Sequence, residues 1–521
     1  MKRIGIDVGG TNTDAVLIEG GRVLRGIKTP TTEDVTSGVR KALAEVLQGD
    51  GALAASIDAV MIGTTHFTNA VVQRRGLNRV GALRIGLPAS ASLPPFVDWP
   101  EDLAGLVCGE VAMVEGGHEY DGRPIVPLDR QAIRDAAKRF ADDGLTAFAV
   151  SSVFSPLTAE CEEAAAEILA EEIPGARITQ SHDLGRIGLL ERENVALLNA
   201  CLQDMAEKTA RAFVDALADS GISAPLYITQ NDGTITLAEQ AARLPVYCFA
   251  SGPTNSMRGA VFLCGIEDGV VVDVGGTTSD IGYLKNGFPR EANSIVEVGG
   301  VRTLFRMPDL LSLALGGGTE IDLKTGKIGP GSVGYRLTKE AMVFGGTQLT
   351  STDLAVAAGI AEVGDRSLVQ NLDKTDVAAI VEAMHGMIAE GIDRMKTEAG
   401  DVPLIAVGGG SFLIPDSIDG ASEVVRVEHH AVANAVGAAI AQVSGEVDHI
   451  FSGLDREAAI AEALHQAEVR AVEAGASPGS LKTVEVEDLP LAYLPGDSLR
   501  VRVRVIGDIA ASLALPAAAR S

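Results

Sequence analysis

The sequence predicts an α/β protein whose core contains the same strand–loop–strand unit twice. Strand-like apolar runs alternate with amphipathic helical segments along the chain. Two nine-residue segments that lie 266 residues apart are identical at six positions. The chain also has 59 glycines among 521 residues, which indicates many tight turns and loops where the backbone approaches a ligand closely.

The first copy of the repeat lies at the start of the chain. Strands are expected at 2–8, 14–19 and 22–28, with Gly20-Gly21 as the turn between the last two. Residues 86–128 are rich in proline and predict irregular structure. The other elements expected before the second copy are helices at 33–47, 129–142, 157–172 and 192–219, and strands at 57–62, 80–85, 146–150 and 226–229.

The second copy begins with a buried strand at 270–274 and a hairpin that turns at Asn286-Gly287. Further elements are expected in this order: helices at 352–361 and 374–397, a strand at 403–407, and a helix at 429–443. The composition changes near 445–453. We therefore expect an N-terminal lobe at 1–190, a C-terminal lobe at 191–446 and a small α+β appendage at 447–521. In the appendage, the alternation of Arg500, Arg502 and Arg504 with apolar residues favours a half-solvated strand.

Charge and composition exclude several classes of protein. There are 43 Lys and Arg against 70 Asp and Glu, a net charge of −27, which argues against a general nucleic-acid or anionic-membrane binder. The five cysteines are odd in number and widely spaced, as expected in a reducing compartment. No apolar run is long enough to span a bilayer, and the N-terminus lacks the apolar core of a signal peptide. A cytoplasmic location is expected.

The repeat has the chemistry of a phosphate-binding loop. Residues 6–14 read Ile-Asp-Val-Gly-Gly-Thr-Asn-Thr-Asp, and residues 272–280 read Val-Asp-Val-Gly-Gly-Thr-Thr-Ser-Asp. Glycines after a strand let backbone N–H groups point at an anion, and hydroxyls add neutral donors. Asp7 and Asp273 cannot contact phosphate directly, but they suit a hydrated Mg²⁺. The expected phosphate contacts are Gly9, Gly10, Thr11, Asn12, Thr13, Gly275, Gly276, Thr277 and Thr278.

These loops resemble the two phosphate elements of the actin, hexokinase and sugar-kinase superfamily. That superfamily has a third, glycine-rich adenosine loop after a late buried strand, and Gly408, Gly409, Gly410 and Ser411 are similar to it. The resemblance implies a two-lobed, duplicated α/β fold that is similar to ribonuclease H in each lobe. It also implies that ATP binds in the cleft between the lobes.

An ordered series of further motifs resembles the hydantoinase A / 5-oxoprolinase family. The motifs cover residues 1 to about 445 and include Gly-Thr-Thr-His-Phe-Thr-Asn-Ala at 63–70, Ser-His-Asp at 181–183, Ser-Gly-Pro at 251–253 and the second phosphate loop at 273–280. The resemblance implies ATP-dependent ring opening of a cyclic amide such as a hydantoin, a lactam or 5-oxoproline. The reaction would proceed by phosphorylation of the carbonyl oxygen.

The resemblance also implies roles for individual residues. Asp7 and Asp273 would bind Mg²⁺, directly or through water, and Asp280 is a hypothetical base. Thr65, His66, Asn69 and His182 are the hypothetical substrate contacts. A hydantoinase B-like companion subunit is expected, and homo-oligomerisation stays open. The alternatives are an acetone-carboxylase-like ATP-using subunit, a small-molecule kinase and a nucleotide-switched assembly protein.

Overall fold

The computed structural model describes residues 1–10, 12–31, 35–184, 187–292, 296–304, 307–491 and 498–510. Two main sheets form, which we call the first-lobe sheet and the second-lobe sheet, and a third sheet is inserted into the first lobe. The helices of the described residues are Val35–Leu47, Gly51–Ala55, His66–Gln73, Glu101–Val107, Arg130–Asp142, Glu160–Glu172, Leu189–Asp219, Ala238–Arg243, Ser251–Cys264, Leu337–Glu340, Ser351–Ala358, Lys374–Met395, Ala433–Ile440 and Arg456–Glu473.

The first-lobe sheet has nine strands and includes both the first strands of the chain and the last ones that the structure describes. Its spatial order is Lys482–Pro490, Leu499–Gly507, Gln442–Phe451, Thr234–Leu237, Leu226–Thr229, Ala59–Thr64, Lys2–Val8, Asn12–Glu19 and Arg22–Pro30. The last three strands form an antiparallel meander, and Lys2–Val8 is parallel to Ala59–Thr64 on its other side. This arrangement brings the carboxyl end of the first repeat strand next to the carboxyl end of a buried parallel strand.

The second-lobe sheet repeats that order. Its main path is Phe288–Pro289, Ser279–Lys285, Gly269–Val274, Val402–Val407 and Ala421–Arg426, and Leu310–Leu313 also pairs with Ser279–Lys285. Gly269–Val274 is antiparallel to its hairpin partner and parallel to Val402–Val407, as in the first lobe. Each of the two sheets packs against its own helices in a separate apolar core. The duplicated, two-lobed α/β fold expected from the sequence is therefore confirmed.

Both repeat hairpins turn on two residues with positive φ. The angles are 56° and 78° at Gly20 and Gly21, and 51° and 75° at Asn286 and Gly287. A tight turn of this hand matches the twist of the flanking strands, and Gly and Asn adopt it at low cost. In both copies the turn therefore fixes the register between the second and third strands of the repeat.

The inserted sheet is parallel and has the order Cys108–Glu115, Val80–Leu87, Ala147–Ser152 and Arg177–Gln180. The expectation of irregular structure at 86–128 is therefore partly wrong, because this segment contains the helix Glu101–Val107 and the strand Cys108–Glu115. The missed strand lies at the sheet edge and is mostly half-buried, so its sequence shows no clean apolar alternation. There are also two short hairpins. Val296–Val298 with Val301–Thr303 packs on the core of the first lobe, and Thr319–Asp322 with Lys327–Ser332 packs on that of the second.

The C-terminal strands extend the first-lobe sheet. Gln442–Phe451 runs across the expected boundary at residue 446 and pairs with Leu499–Gly507, which in turn pairs with Lys482–Pro490. The helix expected at 429–443 is shorter, Ala433–Ile440, because the following residues enter this strand. The division of the chain into three parts stays a prediction.

The arginine strand is buried rather than half-solvated, which corrects the expectation from its alternation. Arg502 and Arg504 are 5% and 7% exposed. Glu291 of the second lobe pairs with both, at 2.8 Å from Arg502 and 3.7 Å from Arg504. Arg504 also pairs with Asp232 at 3.2 Å. The alternation of arginine with apolar residues shows that the arginines share one face of the strand. It does not show whether water or carboxylates cover that face.

In the described parts of the chain, no helix combines the length and the apolar character needed to cross a lipid bilayer.

Candidate functional site

The two repeat loops have the same local geometry. Asp7 lies opposite Asp14 across the first hairpin, and Asp273 lies opposite Asp280 across the second. The first glycine of each loop closes the turn through the same backbone hydrogen bond. Gly9 N donates to Asn12 O at 3.0 Å, and Gly275 N donates to Thr278 O at 2.9 Å. Thr11, one of the expected phosphate contacts, lies outside the described residues.

The third glycine loop packs directly against the second phosphate loop. A Cβ atom on Gly408 would lie 2.3 Å from Oδ1 of Asp273, and Gly410 N donates to Val274 O at 2.8 Å. Gly408 also has a φ of 88°, which favours glycine. Only glycine therefore allows this loop to approach the carboxylate so closely, as a shared nucleotide cleft would need.

A further glycine segment, residues 316–318, supports the second loop from beneath. Gly317 N donates to Gly275 O at 3.0 Å, and Gly318 N donates to Gly276 O at 2.7 Å. Thr277 and Thr278 stay exposed at the tip. The backbone of the loop is thus held in place, while its hydroxyls remain available to a ligand.

Three carboxylates and one ammonium group meet between the lobes. Asp14 accepts a hydrogen bond from Lys28 Nζ at 2.8 Å. The charges of Asp14, Asp273 and Lys28 all act on the carboxyl group of Asp7. Lys28 also faces the third loop, since a Cβ on Gly409 would lie 3.9 Å from its Cε. With all groups charged, the cluster has a surplus of negative charge, so a polyphosphate would need a divalent cation to enter.

The titration of these carboxyls reflects their burial. Burial, with the repulsion of Asp14 and Asp273, raises the pKa of Asp7 to about 7. Lys28 and Asn434 act in the opposite direction. Burial also raises the pKa of Asp14 and of Asp273. A cation at this site would favour the charged form of each carboxyl.

Asp7 has one oxygen that is held and one that is free to bind a cation. Its Oδ2 accepts a hydrogen bond from Asn434 Nδ2 at 2.8 Å. Its Oδ1 is buried and has no hydrogen-bond partner among the described residues. A Cβ on Gly63 would lie 2.8 Å from that oxygen, so the glycine leaves room beside it. The donor set fits Mg²⁺, which prefers oxygen ligands and needs only one or two carboxylates when phosphate and water supply the rest.

The described residues contain no group of three or more His, Cys, Asp or Glu that could form a complete protein metal cage. A metal at Asp7 would therefore depend on nucleotide oxygens, as is usual for Mg²⁺ in phosphoryl-transfer sites.

Asp280 lies opposite Asp273 on one side and opposite Ser312 on the other. It accepts a hydrogen bond from Ser312 Oγ, and burial raises its pKa to about 6. In the third loop, Ser411 Oγ lies 3.1 Å from His430 Nδ1. Asp280 can thus exchange a proton near neutral pH, and His430 contacts the end of the third loop.

Three of the expected substrate residues lie at the end of the strand next to Asp7. Thr65 caps the helix His66–Gln73, and its Oγ1 accepts a hydrogen bond from Asn69 Nδ2 at 3.2 Å. The position of a Cβ on Gly252 is 3.5 Å from Thr65 Cγ2 and 3.8 Å from Asp7 Oδ1. His66 is half-buried, which lowers its pKa. Thr65 is therefore placed near the carboxylate cluster.

His182, the fourth expected substrate residue, belongs to a different cluster on the inserted sheet. Its Nδ1 lies 2.8 Å from Oε2 of Glu162, which is fully buried and raises the pKa of His182 against the effect of burial. Glu162 also accepts hydrogen bonds from Ser152 N and Ser181 Oγ at 2.8 and 2.6 Å. No hydrogen bond or ion pair within the described ranges joins His182 to the Asp7 cluster.

Sequence reasoning missed Lys28 and Asn434 as site residues. Lys28 lies on the third strand of the first meander, directly opposite Asp14. Pairing that strand with the second strand across the Gly20-Gly21 turn could have identified it from the sequence. Asn434 reaches Asp7 from a helix more than 400 residues later in the chain. No pattern within the sequence identifies such a contact.

The chain is similar to known families and proteins along most of its length. Residues 3–173 match a family model described as the hydantoinase/oxoprolinase N-terminal region, and residues 192–394 match one described as hydantoinase/oxoprolinase. The chain is 26% identical over 437 residues to the caprolactamase subunit alpha of Pseudomonas jessenii, covering 77% of this chain and 61% of that protein. It is 28% identical over 396 residues to the acetophenone carboxylase gamma subunit of Aromatoleum aromaticum, covering 69% and 53%.

The chain thus spans about half to three fifths of the length of the curated relatives it matches. Among solved structures, the ATP-dependent caprolactamase of Pseudomonas jessenii superposes with a TM-score of 0.80 at 20% identity, covering 99% of this chain and 88% of that one. At this level of identity the likeness shows the fold.

Proposed function

Because the chain belongs to the hydantoinase/oxoprolinase family, we propose that it uses Mg-ATP to open the ring of a cyclic amide. The observation that carries the proposal is that Asp7 and Asp273, one from each repeat loop, lie close enough to interact by charge, with Lys28 beside both Asp14 and the third loop. Duplicated glycine loops that bring paired carboxylates to one cleft suit the binding of a metal–polyphosphate complex.

The free Oδ1 of Asp7 and the carboxylate of Asp273 would hold the cation, which when bound neutralises the charge of the phosphates. Gly10 and Gly276 would offer backbone N–H groups, whereas the N–H groups of Gly9 and Gly275 close the two turns, and the third loop, residues 408–411, would border the adenosine side. Lys28 lies where it can leave Asp14 for a phosphate oxygen. Positioning and charge neutralisation are most of what phosphoryl transfer requires.

The chemistry explains why ATP is needed. An unstrained cyclic amide has a poorly electrophilic carbonyl carbon and a poor nitrogen leaving group. Transfer of the γ-phosphoryl group to the carbonyl oxygen releases ADP and activates the carbon for attack by water. The ring C–N bond then breaks, the nitrogen takes up a proton, and a second water releases phosphate. Overall, the cyclic amide, ATP and two water molecules give the open-chain amino acid, ADP and phosphate.

Four residues of this chain suit proton transfer or substrate binding in that reaction sequence. Asp280 has a pKa of about 6, so it can accept a proton near neutral pH. Thr65, with Asn69 hydrogen-bonded to it, lies beside the carboxylate cluster and can bind the amide edge of the substrate. His66 follows directly and adds a neutral imidazole.

A companion subunit is part of the proposal. The relatives described above are named as subunits of caprolactamase and acetophenone carboxylase. A cleft that excludes water for phosphoryl transfer is a poor place to admit water for hydrolysis. The isolated chain should therefore show weak ring opening or none, and a hydantoinase B-like partner should restore it.

A ketone-carboxylase subunit is the second candidate function, favoured by the similarity to the acetophenone carboxylase gamma subunit. The same loops would phosphorylate a ketone enolate or bicarbonate oxygen. The two functions share the nucleotide site and differ in the substrate.

One assay tests both. The purified chain, with and without its companion, is given Mg-ATP and either caprolactam, hydantoin, 5-oxoproline or a ketone with bicarbonate. Phosphate release and products are then followed. Ring-opened product that depends on ATP supports the proposal. Phosphate release and a carboxylated product only with a ketone and bicarbonate would favour the second function, and a stable phosphorylated product would indicate a kinase.

A further inference from the structure

Two helices cross between the lobes, and each packs on the sheet that belongs to the other half of the chain. Ser251–Cys264 follows strands of the first-lobe sheet but packs on the second-lobe sheet, and Ala433–Ile440 follows the second-lobe sheet but packs on the first. The first contact joins Met257 and Ala260 to Val271, Ile405 and Val407. The second joins Ala435, Val436 and Ala439 to Val16 and Ile18.

The helices touch through their backbones at two glycines. A Cβ on Gly259 would lie 1.8 Å from Ala433 O, and a Cβ on Gly437 would lie 1.8 Å from Asn255 O. No side chain fits at either point. In each case the facing carbonyl belongs to a residue four positions before the other helix's glycine, so the contact has local two-fold symmetry.

That symmetry makes Ser256 and Asn434 equivalent, since each lies three positions before its glycine. Asn434 Nδ2 donates to Oδ2 of Asp7 at 2.8 Å. Ser256 is 1% exposed and lies near the carboxyl of Asp273, and its Oγ has no hydrogen-bond partner among the described residues. Each of the two carboxylates thus has a neutral polar neighbour on the helix that packs against its own sheet.

The orientation of the Asn434 amide is fixed by a second contact. Its Oδ1 accepts a hydrogen bond from Ala435 N at 3.0 Å, so the NH₂ group must face Asp7. The hydrogen bond therefore holds one carboxylate oxygen and leaves Oδ1, which has no partner in the described part of the chain, for a cation. A residue that only filled space would not need this orientation.

We propose that Asn434 and Ser256 are positioning residues that orient Asp7 and Asp273 toward a shared divalent cation. The glycine contact sets the distance between the two positioning residues, and so joins the carboxylates of the two lobes into one site. This inference rests on the proposed Mg-ATP function. It assigns to the crossing helices a role in metal binding that the phosphate loops alone do not supply.

The test measures how much Mg²⁺ improves ATP affinity. ATP is titrated calorimetrically into the full chain with Mg²⁺ and, separately, with EDTA. Removing a partner that orients a metal ligand typically weakens metal affinity about 10- to 100-fold. In Asn434→Ala, the factor by which Mg²⁺ raises the ATP affinity should therefore be about 10- to 100-fold smaller than in the wild type. The ATP affinity measured in EDTA should be the same in both proteins.

Asn199→Ala is the matched control. Asn199 is fully buried, whereas Asn434 is half-buried, and it likewise donates through Nδ2, at 3.0 Å to Thr179 Oγ1 and 2.9 Å to Arg243 O, neither of which belongs to the carboxylate cluster. It should lose stability without changing the effect of Mg²⁺. Ser256→Ala removes only a hydroxyl and keeps the test available should Asn434→Ala fail to fold; it should reduce the effect of Mg²⁺ several-fold.

The outcomes separate this inference from the proposed function. Suppose that Mg²⁺ raises the ATP affinity of the wild type, and raises it by the same factor in the folded Asn434→Ala or Ser256→Ala protein. That result would overturn the positioning role and leave the proposed function standing. An equal loss in Asn199→Ala would show that the effect is structural and would overturn it too. If the wild type binds no ATP under either condition, both the proposed function and this inference are wrong.

Discussion

Replacing Asp7 with Asn should stabilise the ligand-free protein while removing its Mg-ATP binding. Asp7 is 5% exposed and its pKa is raised from 3.8 to about 7, chiefly by burial. The folded state therefore holds the proton more tightly than the unfolded state does. Stability contributed by this group falls as the pH rises from about 4 to 7 and stays low above that, because the unfolded carboxyl ionises first.

The magnitude follows from the shift. A change of about three pKa units corresponds to about 4 kcal/mol at pH 8. The amide of the variant accepts the hydrogen bond from Asn434, but it buries an N–H at the former Oδ1 position, which costs about 1–3 kcal/mol. The net expectation is a stabilisation of about 1–3 kcal/mol at pH 8.

The assay is urea denaturation in EDTA, so that no cation compensates the charge. At pH 5 the wild-type carboxyl is protonated in the folded state, and the advantage of Asp7→Asn should shrink by about 2–3 kcal/mol. The exposed Asp401→Asn variant is the control and should change stability little at either pH.

A less stable Asp7→Asn protein at pH 8, or an advantage that does not depend on pH, would refute the reasoning. Either result would mean that the Asp7 carboxylate is not held at an energetic cost for a cation, and the site would need another explanation.

Four further variants, with Gly386→Ala as a control, test separate features of the structure. Asp273→Asn and Lys28→Gln should each keep the fold and lower ATP turnover by about 100-fold, as measured by phosphate release. Gly10→Ala should keep wild-type stability, because no atom lies within 4 Å of its added Cβ, yet weaken ATP binding in calorimetry; Gly386→Ala, equally free of contacts, should not. Arg504→Met should destabilise the protein by about 1–3 kcal/mol in urea, because the half-buried carboxylates of Asp232 and Glu485 each lose a charged hydrogen-bond partner.

Much of the fold could be predicted because the repeat carries its own geometry. The opposition of Asp7 to Asp14 and of Asp273 to Asp280 follows from the short glycine loop that joins the two strands with the same spacing in both copies. The family resemblance is confirmed as well. Local sequence is sufficient where strand, turn and strand are consecutive.

Contacts between distant segments could not be predicted in the same way. Asn434 meets Asp7 only because two helices cross through glycine backbones, and no local pattern encodes that crossing. The buried face of Arg502 is covered by carboxylates from other strands and from Glu291. Both features depend on tertiary packing that alternation and spacing do not express.

The most direct test of the central claim is a calorimetric titration of Mg-ATP into the wild-type chain and into Asp7→Asn. The account predicts a dissociation constant between about 1 μM and 1 mM for the wild type and its loss in the variant. The absence of any binding up to about 5 mM, or equal binding by both proteins, would contradict it.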